Sequence, residues 1–133
     1  MMPKIILNNQ EWKNKLSPEE FEVLRNKGTE RPFSGKYVDH KTPGTYNCAA
    51  CDNELFSSES KYNSGTGWPS FFQPIGEGKV ISKEDHSHGM IRNEVVCGNC
   101  ESHLGHVFDD GPNPTGLRFC INSISLKHKS SKK

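Results

Sequence analysis

Apolar and polar residues follow two different patterns along the chain, and the change falls near residue 30. In the first part, Ser17 and Glu20 form a capping-box sequence, and Phe21 and Leu24 follow at the spacing of one helical face. We therefore expect one short amphipathic helix at about residues 18–27.

From about residue 31 onwards, glycine, proline, asparagine, aspartate and serine interrupt every apolar run. Short apolar runs separated by such residues are typical of short antiparallel strands and ordered loops. The predicted fold class is therefore mainly β, in a single domain over residues 1–133. We expect a helical arm at about 1–30, a β domain at about 31–126 and a disordered basic tail at 127–133.

The composition of the chain narrows the possible function classes. It has 133 residues, 32% of them hydrophobic, which suits one soluble domain with its own core. A net charge of +1 gives no global field for nucleic acid or for an anionic membrane, so neither is expected as a partner. The sequence has no secretory h-region and no membrane-length apolar run, which predicts a cytoplasmic protein.

Two CxxC pairs form the strongest motif. Each tight turn can aim two sulfurs at one ion, and four thiolates make a closed tetrahedral zinc site that stabilises a fold without an open position for substrate. Gly98 and Asn99 tolerate the positive φ that such a turn can require. The alternative is a dithiol redox pair, but the sequence lacks the βαβ pattern that usually accompanies one. We expect one structural Zn²⁺ per chain, and its predicted ligands are Cys48, Cys51, Cys97 and Cys100.

A histidine pair, His103 and His106, follows the second CxxC. These residues could in principle join the adjacent cysteines around one metal, but the first CxxC would then have no partner. They also stand too close to the second CxxC for easy tetrahedral closure. We expect both histidines to be free of metal, and a solvated or hydrogen-bonded structural pair is the alternative to a catalytic role.

A fifth cysteine stands apart from both pairs, in the stretch GLRFCINSISL. Alternation in a strand would place three apolar residues on the core face, namely Leu117, Phe119 and Ile121. The opposite face then holds Cys120 between Arg118 and Asn122. A lone cysteine is usually a small buried hydrophobe, but a nearby guanidinium favours the thiolate and therefore a nucleophile.

Glycine and proline surround Trp68 in the loop NSGTGWPSFFQP. Large rings on a rigid loop can wall a pocket. We interpret Phe71 and Phe72 as core residues. Trp68 stands at the expected crest of the loop and is the ring that we expect to meet a ligand.

The motifs occur in the order CxxC, SGTGWPSF, CxxC, HLGHVFDDGP and RFCINS. In this order, from RPFSGKY to RFCINS, the sequence resembles the B-type methionine-R-sulfoxide reductases. The resemblance implies antiparallel sheets in a barrel-like body with peripheral short helices, a structural zinc on the four paired cysteines and a catalytic thiol at Cys120. It also implies reduction of the R epimer of methionine sulfoxide in proteins or peptides, with the free amino acid as a further candidate substrate.

The same resemblance assigns roles to the residues around the thiol. Trp68 would receive the substrate methyl group, and Phe119 is the second predicted substrate-binding residue. The predicted catalytic residues beside Cys120 are His103, His106, Asn122 and Arg118. A thiolate attacks the sulfoxide sulfur, a histidine protonates the departing oxygen, and the cysteine is left as a sulfenic acid.

One position departs from the family pattern. Many members carry a cysteine where this sequence has Thr66, and that cysteine forms a disulfide with the oxidised catalytic thiol. With the other cysteines assigned to zinc, no internal resolving thiol remains. We therefore expect thioredoxin, glutaredoxin or glutathione to regenerate Cys120. The protein is expected to be a monomer. Borrowing of a zinc thiolate is the alternative, and it would loosen the fold.

A rival interpretation comes from a different class of protein. A zinc-stapled β domain could use Trp68 and neighbouring rings as an aromatic cage for a small ligand or a peptide side chain. Such a binder needs neither Cys120 nor the histidine pair. A zinc ribbon that binds nucleic acid is a weaker rival, because basic residues cluster only in the C-terminal tail.

Overall fold

The computed structural model describes residues 9–26, 28–31, 33–85 and 92–130. Its helices are α1 (Asn9–Lys15) and α2 (Pro18–Leu24). Its strands are β1 (Gly44–Cys48), β2 (Glu54–Ser57), β3 (Lys61–Tyr62), β4 (Ser70–Phe71), β5 (Val80–Asp85), β6 (Arg92–Cys97), β7 (His103–Phe108), β8 (Arg118–Ile121) and β9 (Leu126–Ser130). The strands pair antiparallel, which confirms the mainly β prediction.

The strands form two sheets, with the orders β2-β1-β9 and β3-β4-β8-β7-β6-β5. Phe56 of β2 stacks on Phe71 of β4 with ring centroids 4.4 Å apart, and Tyr46 of β1 meets Phe71 edge-on at 5.2 Å. Because all three rings are fully buried, they join the two sheets in one core. Both sheets are open within the described residues, so the barrel-like outline is not confirmed.

Helix α2 begins as the capping box predicts. Ser17 Oγ accepts a hydrogen bond from the Glu20 N–H at 3.1 Å, and the Ser17 N–H donates to Glu20 Oε1 at 2.9 Å. The helix ends at Leu24, so the predicted end at residue 27 is too late. Beyond it, Arg25 turns towards the second CxxC and donates to the Cys100 carbonyl at 3.0 Å. This contact joins residues 75 positions apart, so it could not be predicted from the local sequence pattern.

Helix α1 is absent from the sequence prediction. Its sequence, NQEWKNK, contains a single apolar residue. It therefore lacks the amphipathic pattern from which a helix could be predicted. That residue, Trp12, is fully buried. The helix is therefore attached to the core by one large ring, together with Leu16 just after its end.

The C-terminal segment corrects the predicted disordered tail. Leu126–Ser130 forms β9, which pairs with β1 along its whole length. Leu126 is buried and His128 packs edge-on against a tyrosine of β1, whereas Lys127 and Lys129 are exposed. Lysines that alternate with packed residues are typical of an edge strand, and the basic composition concealed this pattern. Residues 131–133 of the predicted tail lie outside the described residues.

Candidate active site

The two CxxC turns meet at one place in the fold. Cys48 Sγ lies 3.7 Å from Cys100 Sγ, and Cys51 Sγ lies 3.5 Å from Cys97 Sγ. All four sulfurs lie within 4.8 Å of one another, and the cluster includes no histidine. A tetrahedral ion with Zn–S bonds of about 2.3 Å needs sulfurs about 3.8 Å apart. The four cysteines therefore fit a single metal ion.

Each turn is closed by the residue after its second cysteine. Asp52 and Glu101 have φ values of 68° and 61°, and their N–H groups donate at 2.8 and 2.9 Å to the carbonyl of the first cysteine in each turn. In the second turn the positive φ therefore falls at Glu101, and not at Gly98 or Asn99. Gly98 meets a different requirement, because a Cβ at this position would lie 2.0 Å from the carbonyl oxygen of Gly78.

A side chain from the helical region braces the second turn. Besides its bond to the Cys100 carbonyl, Arg25 donates to Ser102 Oγ at 3.1 Å, and its guanidinium lies 4.7 Å from the centre of the Trp12 ring. Ser102 Oγ in turn lies 3.1 Å from Cys100 Sγ. These contacts connect α1 and α2 to the metal-binding cluster.

The fifth cysteine lies at a second site, on the six-stranded sheet. A cavity of about 320 Å³ opens beside it. The predicted site residues that line this cavity are Trp68, His106, Arg118, Cys120 and Asn122. Other lining residues, which the sequence analysis missed, include Thr29, Arg92 and Phe108. Thr29 and Arg92 come from distant parts of the chain, whereas Phe108 lies within the motif HLGHVFDDGP, two residues after His106.

The register of β8 sets the surroundings of Cys120. This residue pairs with Ser70 of β4 and with His106 of β7. Phe119 and Ile121 are buried, whereas Cys120 is half-buried and faces the cavity. The predicted alternation of this strand is thus confirmed.

Burial raises the pKa of the Cys120 thiol above its ordinary value. The Thr66 hydroxyl, 4.0 Å from Sγ, and the Arg118 guanidinium act in the opposite direction, but burial outweighs them. Arg118 therefore favours the thiolate, as predicted, but its effect on the pKa is smaller than the effect of burial. Sequence alone could not reveal how far the sulfur is removed from water.

Arg118 is itself engaged by a carboxylate. Its Nε and Nη2 donate to the two oxygens of Asp110 at 2.9 and 3.1 Å, and its guanidinium lies 4.4 Å from the centre of the Phe108 ring. The bond from Arg118 lowers the pKa of Asp110. Because Asp110 partly neutralises the guanidinium, Arg118 favours the Cys120 thiolate less than an isolated arginine would.

His103 and His106 lie three residues apart on β7, a spacing that points side chains to opposite faces of a regular strand. Consecutive residues of β6 pair with Gly105 and His103, so Leu104 is an extra residue in a bulge. The two imidazole rings consequently meet edge-on, with centroids 5.5 Å apart. His106 lines the cavity, whereas His103 is only 2% exposed and its Nδ1 lies 2.7 Å from Glu94 Oε2.

Trp68 and Asn122 are joined through the backbone of Glu30. Trp68 Nε1 donates to the Glu30 carbonyl at 2.9 Å, and the Glu30 N–H donates to Asn122 Oδ1 at 3.1 Å. Asn122 Nδ2 also donates to the Leu104 carbonyl at 3.1 Å. These bonds fix two walls of the cavity. Glu30 was not among the predicted site residues, because its partners are distant in sequence.

Phe119 lies outside this cavity. It is 6% exposed, and its ring centroid lies 5.7 Å from that of Phe56 in the core. A strand residue next to Cys120 must face the opposite side of the sheet. This placement does not support the predicted substrate-binding role of Phe119.

A larger groove of about 860 Å³ lies between α2 and the segments at residues 29–31, 34–36 and 123–126. The described residues that line it include neither cysteine nor histidine. It therefore offers no nucleophile for the predicted chemistry, and the smaller cavity beside Cys120 is the candidate active site. The helices of the described ranges are all too short to cross a membrane.

Residues 16–130 match the family model described as the SelR domain. The chain belongs to the SelR family. Similar SelR proteins are named peptide methionine sulfoxide reductase MsrB. Those of Acinetobacter baumannii and Acinetobacter baylyi are each 54% identical over 132 residues, which cover 99% of this chain and 95% of the relative. That of Pseudomonas fluorescens is 56% identical over 125 residues, or 94% of this chain and 96% of the relative. The family is thus that of the B-type methionine-R-sulfoxide reductases, as the sequence motifs predicted.

Proposed function

We propose that this SelR chain reduces the R epimer of methionine sulfoxide to methionine in cytoplasmic proteins or peptides, with the free amino acid as a further candidate substrate. The observation that carries the proposal is the cavity beside Cys120, where a thiol, an indole and an imidazole surround one small space. Membership of the SelR family supports the same reaction.

The proposed reaction begins when the Cys120 thiolate attacks the sulfoxide sulfur. The substrate methyl group lies against Trp68, and the sulfoxide oxygen takes up a proton because an unprotonated oxide is a poor leaving group. The oxygen takes up a second proton and leaves as water, so that Cys120 Sγ is bonded to a sulfonium sulfur. A water molecule then adds to Cys120 Sγ and gives up one proton, the bond between the two sulfurs breaks, and methionine is released. The substrate sulfur gains two electrons and Cys120 loses two, which leaves it as a sulfenic acid.

We assign the proton to His106 because its ring lines the cavity. His103 lies behind it, held by Glu94, and the edge-on ring contact lets it hold His106 in place. Asn122 donates one amide hydrogen to Leu104, and the second is left for the sulfoxide oxygen. Arg118 favours the attacking thiolate.

An external thiol from thioredoxin, glutaredoxin or glutathione completes the cycle. It condenses with the sulfenic acid to a mixed disulfide and water, and a second thiolate then releases Cys120 as a thiol. Thr66 lies 4.0 Å from Cys120 Sγ, at the position where many family members carry the resolving cysteine. A threonine cannot form a disulfide, which supports external regeneration.

The four-cysteine cluster would hold one Zn²⁺, and its ligands would be Cys48, Cys51, Cys97 and Cys100. Four thiolates fill a tetrahedron, so the ion supplies folding free energy and leaves no position for substrate.

The proposal is tested by assaying the two epimers of N-acetylmethionine sulfoxide with the native protein and with Cys120→Ser. We expect turnover of the R epimer only, and its loss in the variant. A binding module with an aromatic cage would show no turnover and would keep its ligand in Cys120→Ser. Equal rates on both epimers, or full activity of Cys120→Ser, would contradict the proposed function.

A further inference from the structure

Three hydroxyl groups form a chain that ends at Cys120, and the proposed reaction gives them no role. Thr66 Oγ1 lies 4.0 Å from Cys120 Sγ and 2.8 Å from Ser64 Oγ. Ser64 Oγ lies 2.7 Å from Ser70 Oγ, and Ser70 Oγ lies 3.3 Å from the Trp68 carbonyl oxygen. The contacts thus run without a break from the catalytic sulfur to a backbone carbonyl.

The local backbone holds these hydroxyls in place. Ser70 is fully buried and lies opposite the catalytic cysteine in the pairing of β4 with β8. The Thr66 N–H donates to Ser64 Oγ at 3.4 Å. Gly65 and Gly67 have φ values of 75° and 95°, which other residues rarely adopt, and they fold the loop back on itself. The loop and the adjoining strand β4 therefore place the three hydroxyl groups next to one another.

We propose that this chain reverses its direction of donation when Cys120 changes from thiol to thiolate, and that it thereby stabilises the nucleophile. In the thiol form, the S–H donates to Thr66, Thr66 to Ser64, Ser64 to Ser70, and Ser70 to the Trp68 carbonyl. In the thiolate form, Ser70 donates to Ser64, Ser64 to Thr66, and Thr66 to the sulfur. Each hydroxyl has one hydrogen and two lone pairs, so either direction satisfies all three.

In this reversal the S–H proton of Cys120 is lost to solvent water, the three O–H bonds rotate, and no proton travels along the chain. Thr66 acts as a catalytic residue because it touches the nucleophile, whereas Ser64 and Ser70 are positioning residues. A hydrogen bond to a charged acceptor is stronger than one to a neutral acceptor, so the gain at sulfur exceeds the loss at the Trp68 carbonyl. The 4.0 Å contact is long for a hydrogen bond, and we expect it to shorten when the sulfur is charged. The inference rests on the proposed function only in taking Cys120 as the nucleophile.

Other charged groups also face Cys120. Arg118, beside it in β8 and paired with Asp110, favours the thiolate, whereas Glu30, in the segment after α2, disfavours it. The other titratable groups that the described residues place around the site are Tyr62 of β3, Arg92 of β6 and His106 of β7. All of these groups stay in place in the variants below, so a difference between variants reports on the hydroxyl chain.

The test follows alkylation of Cys120 by iodoacetamide as a function of pH in the zinc-bound protein, with the modified site identified by mass spectrometry. Thr66→Val removes the hydroxyl and keeps the shape, Thr66→Ser keeps a hydroxyl, and Thr45→Val makes the same change in the other sheet. We expect Thr66→Val to move the profile up by about one pH unit, which slows alkylation at pH 7 about tenfold. Thr66→Ser and Thr45→Val should follow the native profile.

Ser64→Ala distinguishes the chain from the single Thr66 contact. It leaves Thr66 beside the sulfur but removes its partner, so we expect a smaller upward shift. Alkylation requires no turnover, so this result is independent of whether the protein reduces methionine sulfoxide. A Thr66→Val profile that coincides with the native one would overturn the inference, and so would a Thr66→Ser shift as large as that of Thr66→Val. If Thr66→Val fails to fold, an unshifted Ser64→Ala profile overturns it instead.

Discussion

At the scale of single residues, the reactivity of Cys120 is set by burial acting against its polar neighbours. Burial raises the pKa of the thiol, so its folded pKa lies above the unfolded value and the thiolate fraction at neutral pH is small. Below its pKa, the rate of thiolate reactions rises about tenfold per pH unit. We expect alkylation of Cys120 in the native protein to keep increasing above pH 9, the ordinary value for a thiol. A rate that is already level at pH 7 would show that burial does not dominate.

His106 is the residue whose loss should most affect proton delivery. General acid catalysis contributes about a hundredfold or more, so His106→Gln should lower the single-turnover rate by about that factor. His103→Gln should also lower it, because the ring that holds His106 loses its anchor on Glu94. Alkylation of Cys120 should persist in both variants and serves as the control. If single-turnover rates are unchanged, the histidine pair is structural.

Thr66 occupies the place from which a second thiol could reach Cys120. The contact of 4.0 Å between its Oγ1 and the Cys120 Sγ shows that a side chain at this position meets the sulfur. A disulfide needs Cα atoms about 4.4–6.8 Å apart, which neighbouring side chains in contact can satisfy. We expect Thr66→Cys to form a 66–120 disulfide after one turnover, detected by mass spectrometry of unreduced peptides. Persistent sulfenic acid in this variant would contradict the proposed loop geometry.

At the scale of elements, the capping box of α2 offers a direct test. Ser17→Ala removes the acceptor for the Glu20 N–H and should lower the free energy of unfolding by about 1 kcal/mol. Urea unfolding of the zinc-bound protein measures this change. Glu19→Gln, an exposed change in the same first turn, is the matched control and should cost less. Equal stability of Ser17→Ala and the native protein would mean that packing alone holds the helix.

Elements whose signals are local could be predicted from the sequence, and the others could not. The start of α2 and the two faces of β8 depend on residues a few positions apart. The bulge at Leu104 and the edge strand β9 depend on pairing with distant strands, which no local pattern encodes. Helix α1 is held by Trp12, a single ring whose burial becomes visible only in the folded chain.

At the scale of the whole molecule, the four-cysteine cluster connects both sheets and the helical region. Cys48 lies in β1, Cys97 ends β6, and Arg25 joins α2 to Cys100. Because metal binding to such a cluster supplies folding free energy, Cys48→Ser or removal of zinc by a chelator should unfold or strongly destabilise the protein. Thermal unfolding together with a count of zinc per chain measures this. A stable, metal-free and fully active protein would refute the structural role.

In the candidate site, too, the residues within local motifs could be predicted from the sequence, and those that the tertiary fold brings in could not. Motif order predicted the residues on the Trp68 loop, β7 and β8, because each motif carries its own chemistry. Glu30 and Arg92 reach the same region only through the tertiary fold, and Phe119 was assigned to substrate although its strand turns it towards the core. The raised pKa of Cys120 likewise depends on burial, which the sequence does not specify.

In the proposed cycle, Cys120 alone carries the oxidising equivalent and an external thiol removes it. A single turnover of the zinc-bound protein with the R epimer, in the absence of reductant, tests this claim most directly. We expect one methionine per enzyme, a sulfenic acid on Cys120 that dimedone traps, zinc retained, and no new intramolecular disulfide. A disulfide between Cys120 and any of the four clustered cysteines, accompanied by zinc release, would contradict the claim and make the metal site part of the redox cycle.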